Sequence, residues 1–396
     1  MSRLKDNDNF KLLLKILIIF AISRLIMLVM VPVYNGIMGT NRSFIFLMNE
    51  WDAKKYAYII NNGYTYPTDT DPQANWAFFP LYVIVCMIFK TITGGLINTY
   101  VIGMIVSNVC SIIAAFFAVK GLKKQTDIKD GYEFLMPVLM FMAPYTFYGA
   151  SVYTEAMFIM FIVLFFYFLS EKKYVLAGVM AACSSATRIV GCILVFALVV
   201  QLYIDIEGDK ISLGRIKDFV VTMFKNPGKI FAVLICPFGA FSYMTFLNFF
   251  CGDAWAYKNV QIAWRDDEYF PVVGVLWKSC TGQIEPRYTY MGWFCIAAFA
   301  VYAYMIYRKY YSMAFFGIIA LLVPLTSHVM STCRLIIGSF VIFIGAYDLM
   351  TAGGREYLEL KNEKKIIAID SIVLITFFVL ELFLLFLWYN SDCWLL

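Results

Sequence analysis

The sequence predicts an all-α, polytopic transmembrane bundle. Three observations predict it: hydrophobic residues are 62% of the chain, charged residues only 15%, and the apolar residues come in long uninterrupted blocks. A soluble domain carries about 25% charge and about 45–50% apolar residues, so this chain has too few charges to cover a water-facing surface of its size. Its mean hydropathy is +0.74. About 20 apolar residues cross the hydrocarbon core as a helix. Alternation with period two is absent, which argues against a barrel, and inside lipid the backbone must otherwise satisfy itself as helix.

Eleven helices are expected, near 12–33, 97–119, 133–150, 153–170, 174–187, 189–206, 230–250, 290–307, 312–326, 334–350 and 366–389. The first is too long for a signal-peptide core and is followed by no small-residue cleavage site, so it reads as a retained helix. The stretch 174–187 is short and reads as kinked or half-buried. One further apolar stretch, 78–91, spans about 14 residues, a length typical of re-entrant or interfacial segments.

Lysine and arginine decide the topology. Arg3, Lys5, Lys11 and Lys15 place the N-terminus in the cytoplasm. If 78–91 does not span, the basic loops at 120–129, 172–173, 205–229, 308–309 and 355–365 all fall inside, and with the N-terminus they hold most of the 32 basic residues. If it does span, every later loop flips. The positive-inside rule therefore favours the re-entrant reading. Two long outer segments result, 34–96 and 251–289, within one domain covering 1–396. Neither internal repeats nor broken helices of the transporter kind are evident. The net charge of +5 is not a nucleic-acid signal, because its meaning lies in where the charges sit.

The ten cysteines include no CxxC pair and no Cys/His ligand spacing, and they read mainly as small buried hydrophobes. A disulfide between Cys251 and Cys280, in one outer loop, is sterically open but unsupported. Asn41-Arg42-Ser43 matches an N-glycosylation sequon on the outer side, a short pattern with frequent chance matches.

Several residues stand out as chemistry. Glu50 and Asp52, around Trp51, follow the first helix at the membrane surface. There a carboxylate can take a proton from a hydroxyl nucleophile; equally, both read as solvated loop acids. Tyr153-Thr154-Glu155 opens an apolar helix, where Glu155 is either a favourable charge at a helix N-terminus or an acceptor-binding acid. Arg188 interrupts apolar sequence, and Arg334 sits at the mouth of a late helix. Ionisable groups at membrane depth usually face a cavity or a partner, and the guanidinium fork suits a phosphate. Both also read as interface anchors. His328 is the only histidine, so no His-rich metal site can form; it reads as a phosphate or proton assistant, or as a polar loop residue. Arg24, in the first helix, reads as structural. Asp253, Gln261 and Trp264 belong to an aromatic and polar set that suits sugars, and that equally suits a membrane-interface belt.

At this point the residues resemble a known family. The order Trp51-Asp52, Asn62-Gly63-Tyr64 and Ala77-Phe78-Phe79-Pro80-Leu81-Tyr82 is similar to the first luminal loop of the PIG-V family, the GPI mannosyltransferase II proteins and their bacterial relatives. Tyr153-Thr154-Glu155 and Thr187-Arg188 also fit. So do Gly252-Asp253-Ala254 with Gln261 and Trp264-Arg265, and Ser331-Thr332-Cys333-Arg334. The motifs spread over roughly 49–340 in the family's order. The chain departs at Leu335, where the family has an aromatic, and lacks a proline a few residues on.

The resemblance implies a GT-C fold and a polyprenyl-phosphate sugar donor, with mannose the expected sugar. It also implies transfer to a hydroxyl of a glycan or glycolipid acceptor on the outer face of a bacterial membrane. Asp52 would be the general base, with Trp51 and Glu50 beside it. Glu155 and Tyr153 would complete that side. Arg188 and Arg334, with His328, would meet the donor phosphate, and Asp253, Gln261 and Trp264 would contact sugar or acceptor. No metal or cofactor is required by this scheme. The rival classes are a transporter or lipid-linked-sugar flippase, and a membrane acyltransferase leaning on His328.

Overall fold

A computed structural model of the chain describes residues 2–66, 74–125, 132–210, 212–261, 272–351 and 363–395. Among them all regular structure is helical, with no strand. In chain order the helices are α1 (Ser2–Met38), α2 (Phe44–Met48), α3 (Asp52–Asn62), α4 (Pro80–Ile92), α5 (Thr99–Gln125), α6 (Leu135–Met142), α7 (Glu155–Ser170), α8 (Tyr174–Thr187) and α9 (Leu194–Glu207). They continue as α10 (Leu213–Phe224), α11 (Pro227–Ile235), α12 (Phe238–Cys251), α13 (Ala256–Asn259), α14 (Val272–Cys280), α15 (Arg287–Tyr307), α16 (Tyr311–Leu325), α17 (Thr332–Gly338), α18 (Val341–Met350) and α19 (Glu363–Tyr389).

Among the described residues five helices are long and apolar enough to cross a membrane, or up to seven if each of two bent pairs is one span. Of the eleven helices expected, three stand as shorter apolar helices: α7, α8 and α16 have 16, 14 and 15 residues, below the length that crosses a bilayer upright. Two expected helices are also broken. The stretch 230–250 bends by 48° between α11 and α12, and 334–350 bends by 75° between α17 and α18. Pro237 removes a backbone donor at the first break. At the second, Phe340 adopts a left-handed φ of 65°. The stretch 133–150 ends early as well, because Pro144 is followed by Tyr145 in a left-handed conformation, φ 70°. These breaks lie within stretches expected as continuous helices. The segment 78–91 forms α4, 13 residues long, with Tyr82, Val83 and Cys86 buried and Ile84, Met87, Ile88 and Phe89 exposed. That two-faced, short helix suits a membrane interface.

The exterior is apolar in the way lipid requires. Leu14, Ile18, Leu25 and Val29 on α1, and Ile372, Ile375, Val379 and Phe383 on α19, are all exposed. A row of this length facing water would be an aggregation site.

The chain divides into two compact units, Met1–Asn61 with Val85–Met160 and Phe343–Leu396, and Asn62–Ile84 with Phe161–Ile342. In the first, α1 packs against α5, α6 and α19. The Tyr389 hydroxyl donates to the Met27 carbonyl at 2.8 Å, and Arg24 donates to Asn108 Oδ1 at 2.7 Å while lying over the Phe20 ring. In the second, α8 packs against α11 and α12 through small residues. A Cβ on Gly178 would overlap the Ala232 carbonyl, and one on Gly239 would overlap the Ala182 carbonyl. Gly178, Ala182 and Ala186 recur at every fourth residue of α8, the pattern by which membrane helices bring their backbones close. Cys251 and Cys280 are both free thiols.

Candidate functional site

The first unit gathers Glu50, Trp51, Asp52, Tyr153 and Glu155. Helix α2 ends at Asn49, and α3 begins at Asp52. The two-residue turn between them forces Trp51 into the left-handed region, φ 53°. A residue with a Cβ pays about 1–2 kcal/mol there, so neighbours must hold it. They come from the segment that precedes α7. The Tyr153 hydroxyl accepts the Asp52 N–H at 3.0 Å and donates to the Glu50 carbonyl at 3.1 Å, bridging the strained residue from both sides. Ser151 Oγ donates to the Met48 carbonyl at 2.5 Å, and the Val152 N–H donates to Asn49 Oδ1 at 3.0 Å. Tyr153 is 1% exposed, and its ring packs edge-on against Tyr148 and Trp388.

The clamp holds the backbone of the turn. Asp52 starts α3 and is half-buried. Glu50 is buried and meets the Lys54 ammonium at 2.5 Å. That pairing makes Glu50 a local counter-ion within the turn. The Trp51 indole Nε1 is buried without a hydrogen-bond partner among the described residues. Buried donors are normally satisfied; the Trp76 and Trp388 indoles are likewise buried without a partner among the described residues. Glu155 is buried in the first turn of α7, where the helix dipole favours a carboxylate.

Beneath the clamp lies an acid that hydropathy alone does not reveal. Glu381, in the long apolar helix α19, is 4% exposed. Its Oε1 accepts from Thr146 Oγ1 at 3.0 Å and from the Phe147 N–H at 2.8 Å. These groups belong to the irregular segment opened by Pro144 and Tyr145, the same segment that leads into Ser151–Tyr153. A lone carboxylate in a membrane helix is costly, and that cost is the signal that could have identified it.

The second unit holds the remaining candidates. Arg188 is half-buried at the junction after α8, in extended backbone. The chain then folds back so tightly that a Cβ on Gly191 would overlap the Ser184–Ser185 peptide. Arg334 is half-buried in the first turn of α17, after Ser331 at φ 60°. His328 Nδ1 accepts the Met330 N–H at 3.0 Å, and its ring packs edge-on against Tyr288 at 4.4 Å. Arg287, which motif matching did not select, pairs with Glu285 at 2.6 Å and lies over that same Tyr288 ring. Its position beside Pro286 in the outer segment 251–289 was the available clue.

The two sugar-contact candidates that can be seen make local bonds. Asp253 accepts from the Trp255 N–H at 2.8 Å and from Asn259 Nδ2 at 2.7 Å, ordering the α13 turn. Gln261 Nε2 donates to the Tyr257 carbonyl at 3.1 Å. Trp264 lies outside the described residues. The loop motifs nevertheless converge within this unit: Phe79, Tyr243, Leu247, Ala256 and Tyr257 form a buried cluster against which Tyr64, Trp76, Ile189 and Cys192 pack. The Tyr64 hydroxyl donates to the Phe78 carbonyl at 2.7 Å and that of Tyr243 to the Trp76 carbonyl at 2.8 Å. Burial, with the Cys192 thiol next in weight, pushes the Tyr257 phenol up.

No group of three or more His, Cys, Asp or Glu side chains suited to a metal ion occurs among the described residues. No family model matches the chain, and no curated protein matches it. Among solved structures, the crystal structure of the Archaeoglobus fulgidus oligosaccharyltransferase, in complex with Zn and sulfate, is similar, with a TM-score of 0.42 and 10% sequence identity over 88% of this chain and 48% of that chain. The chain thus spans about half the length of that protein.

Proposed function

We propose that the chain is a membrane glycosyltransferase of the GT-C type. It moves a sugar, mannose in the PIG-V-like reading, from a polyprenyl-phosphate donor to a hydroxyl of a glycan or glycolipid acceptor on the outer face. The observation that carries this reading is the strained Glu50-Trp51-Asp52 turn. Four hydrogen bonds from Ser151, Val152 and Tyr153 hold a half-buried carboxylate at the start of a helix, with an unsatisfied indole donor beside it. Strain held by surrounding structure clusters at functional sites.

In this mechanism the acceptor oxygen attacks the anomeric carbon from the face opposite the phosphate. The C–O bond to the acceptor forms as the bond from carbon to phosphate oxygen breaks. Asp52 takes the hydroxyl proton, and polyprenyl phosphate leaves with the electron pair. Arg188 and Arg334, both in the second unit, are the guanidinium groups whose chemistry suits a phosphate. Phosphate is a good leaving group, so no acid is needed there. The Trp51 indole donates to a sugar or acceptor oxygen. Glu155 assists on the acceptor side, and His328 with Arg287 extends the phosphate-seeking surface.

The test is a transfer assay with the purified chain in proteoliposomes supplied with polyprenyl-phosphate mannose and a membrane extract as acceptor. The reading predicts released polyprenyl phosphate matched by a new glycosidic product. A second reading, transport of a lipid-linked sugar, is favoured by the two bent helix pairs and the buried Glu381, features that transporters also carry. Translocation of a labelled donor across the liposome membrane, without glycosidic product, would establish it instead.

A further inference from the structure

The linker between α9 and α11 carries a surface with no assigned purpose. It joins the end of one candidate span, Ile189–Glu207, to the bent pair that begins at Pro227. Connectivity therefore keeps it at the membrane surface. Within it α10 is amphipathic in an unusual sense, since it has no buried residue. Phe219 and Met223 turn inward, with the Phe219 ring against Tyr203 at 5.5 Å. Leu213, Ile216, Val220, Val221 and Phe224 face outward, Leu213 at 88% and Phe224 at 76% exposure. Lys217 projects among them, and its long stem lets the ammonium reach headgroup level. The helix is held in place rather than dangling: Ser212 Oγ caps it by accepting the Arg215 N–H, and Arg215 Nη1 donates to the Glu207 carbonyl at 2.6 Å.

Directly after α10 the chain enters an open cavity of about 410 Å³ lined by Lys172, Lys173, Tyr174, Asn226 and Lys229. Lys229 lies over the Tyr174 ring at 5.6 Å, and Asn226 is tied back to the Thr222 carbonyl of α10 at 2.7 Å. Two acids are nearby: Glu171, 3.7 Å from Lys173, and Asp205, which accepts from the Tyr174 hydroxyl at 2.8 Å. Against three lysines they leave the cavity with a positive balance.

We propose that this cavity and α10 together form a docking surface for an anionic phospholipid. The phosphate sits among Lys172, Lys173 and Lys229, and the exposed face of α10 lies in the hydrocarbon beside it. A free phosphate would satisfy the lysines and leave the apolar face wet, whereas a lipid supplies both chemistries at once. The basic loops at 172–173 and 205–229 are those the charge rule assigns to the cytoplasm, so the lipid belongs to the inner leaflet.

Native mass spectrometry of the full chain in neutral detergent, titrated with phosphatidylglycerol or phosphatidylcholine, tests this. Preferential retention of phosphatidylglycerol is expected. Replacing the three lysines (Lys172→Gln, Lys173→Gln, Lys229→Gln) should weaken it about 30-fold, the worth of two surface lysine charges. The same number of changes elsewhere (Lys120→Gln, Lys258→Gln, Lys278→Gln) should leave it within twofold. Leu213→Ser with Phe224→Ser should lower retention of both lipids. Equal retention of the two lipids by the wild-type chain would overturn the proposal. So would a preference that survives loss of the three lysines, one lost equally in the control variant, or binding of inorganic phosphate with none of phosphatidylglycerol.

Discussion

Tyr153→Phe removes a single oxygen and isolates the clamp on the candidate base. The ring contacts with Tyr148 and Trp388 survive, so the packing is kept. Two hydrogen bonds are lost, one accepted from the Asp52 N–H and one donated to the Glu50 carbonyl. Each such bond contributes about 1 kcal/mol, and leaving a buried partner unmade costs about 1–3 kcal/mol. Trp51, at φ 53°, stores about 1–2 kcal/mol of backbone strain. The loss is therefore as large as the strain it opposes, and the turn relaxes. A displacement of about 1 Å at a reacting group costs on the order of 100-fold in rate. In the proteoliposome transfer assay, kcat should fall about 30- to 100-fold with donor KM within twofold. Tyr34→Phe is the matched control, because its hydroxyl reaches Asn390 Oδ1 at 3.4 Å and makes no bond to the turn; it should change kcat less than twofold. A Tyr153→Phe enzyme as fast as wild type would refute the argument that the clamp positions Asp52.

Three further outcomes follow from the same contacts. Glu381→Leu should destabilise the detergent-solubilised protein by about 1–3 kcal/mol, since the buried Phe147 N–H loses its acceptor while the Thr146 hydroxyl keeps the Ala143 carbonyl; Glu381→Gln keeps an acceptor and should cost less than half as much, read by thermal unfolding. Gly239→Leu should prevent α12 from seating on α8 and lower the yield of monodisperse protein sharply, because even a Cβ there overlaps backbone. Arg334→Ala should raise the donor KM more than the acceptor KM in the transfer assay; equal shifts would make Arg334 an interface anchor.

The long apolar spans were legible because helical hydropathy is a local signal, and α1, α5, α15 and α19 stand where the apolar blocks do. The breaks were harder. Pro144 and Pro237 were visible in the sequence, yet a proline inside an apolar run is compatible with a kink as well as a stop. The left-handed Phe340 carried no sign at all. The acids were legible as a pair near Trp51, but not the device that holds them, since Tyr153 reaches them across a separation of 101 residues. Glu381 was readable in principle, a carboxylate set in the apolar run that follows Asp370 of the same helix. Asp253 shows the opposite case: a residue chosen for sugar contact whose carboxylate is bonded within its own turn.

The central claim is that Asp52 accepts the proton of the attacking hydroxyl, and Asp52→Asn tests it most directly. The substitution keeps size and the backbone N–H that Tyr153 holds, so the protein should insert and purify normally. Measured with polyprenyl-phosphate mannose in proteoliposomes, its single-turnover transfer rate should drop by at least about 100-fold, within the range expected for loss of a general base. A rate matching wild type would contradict the account.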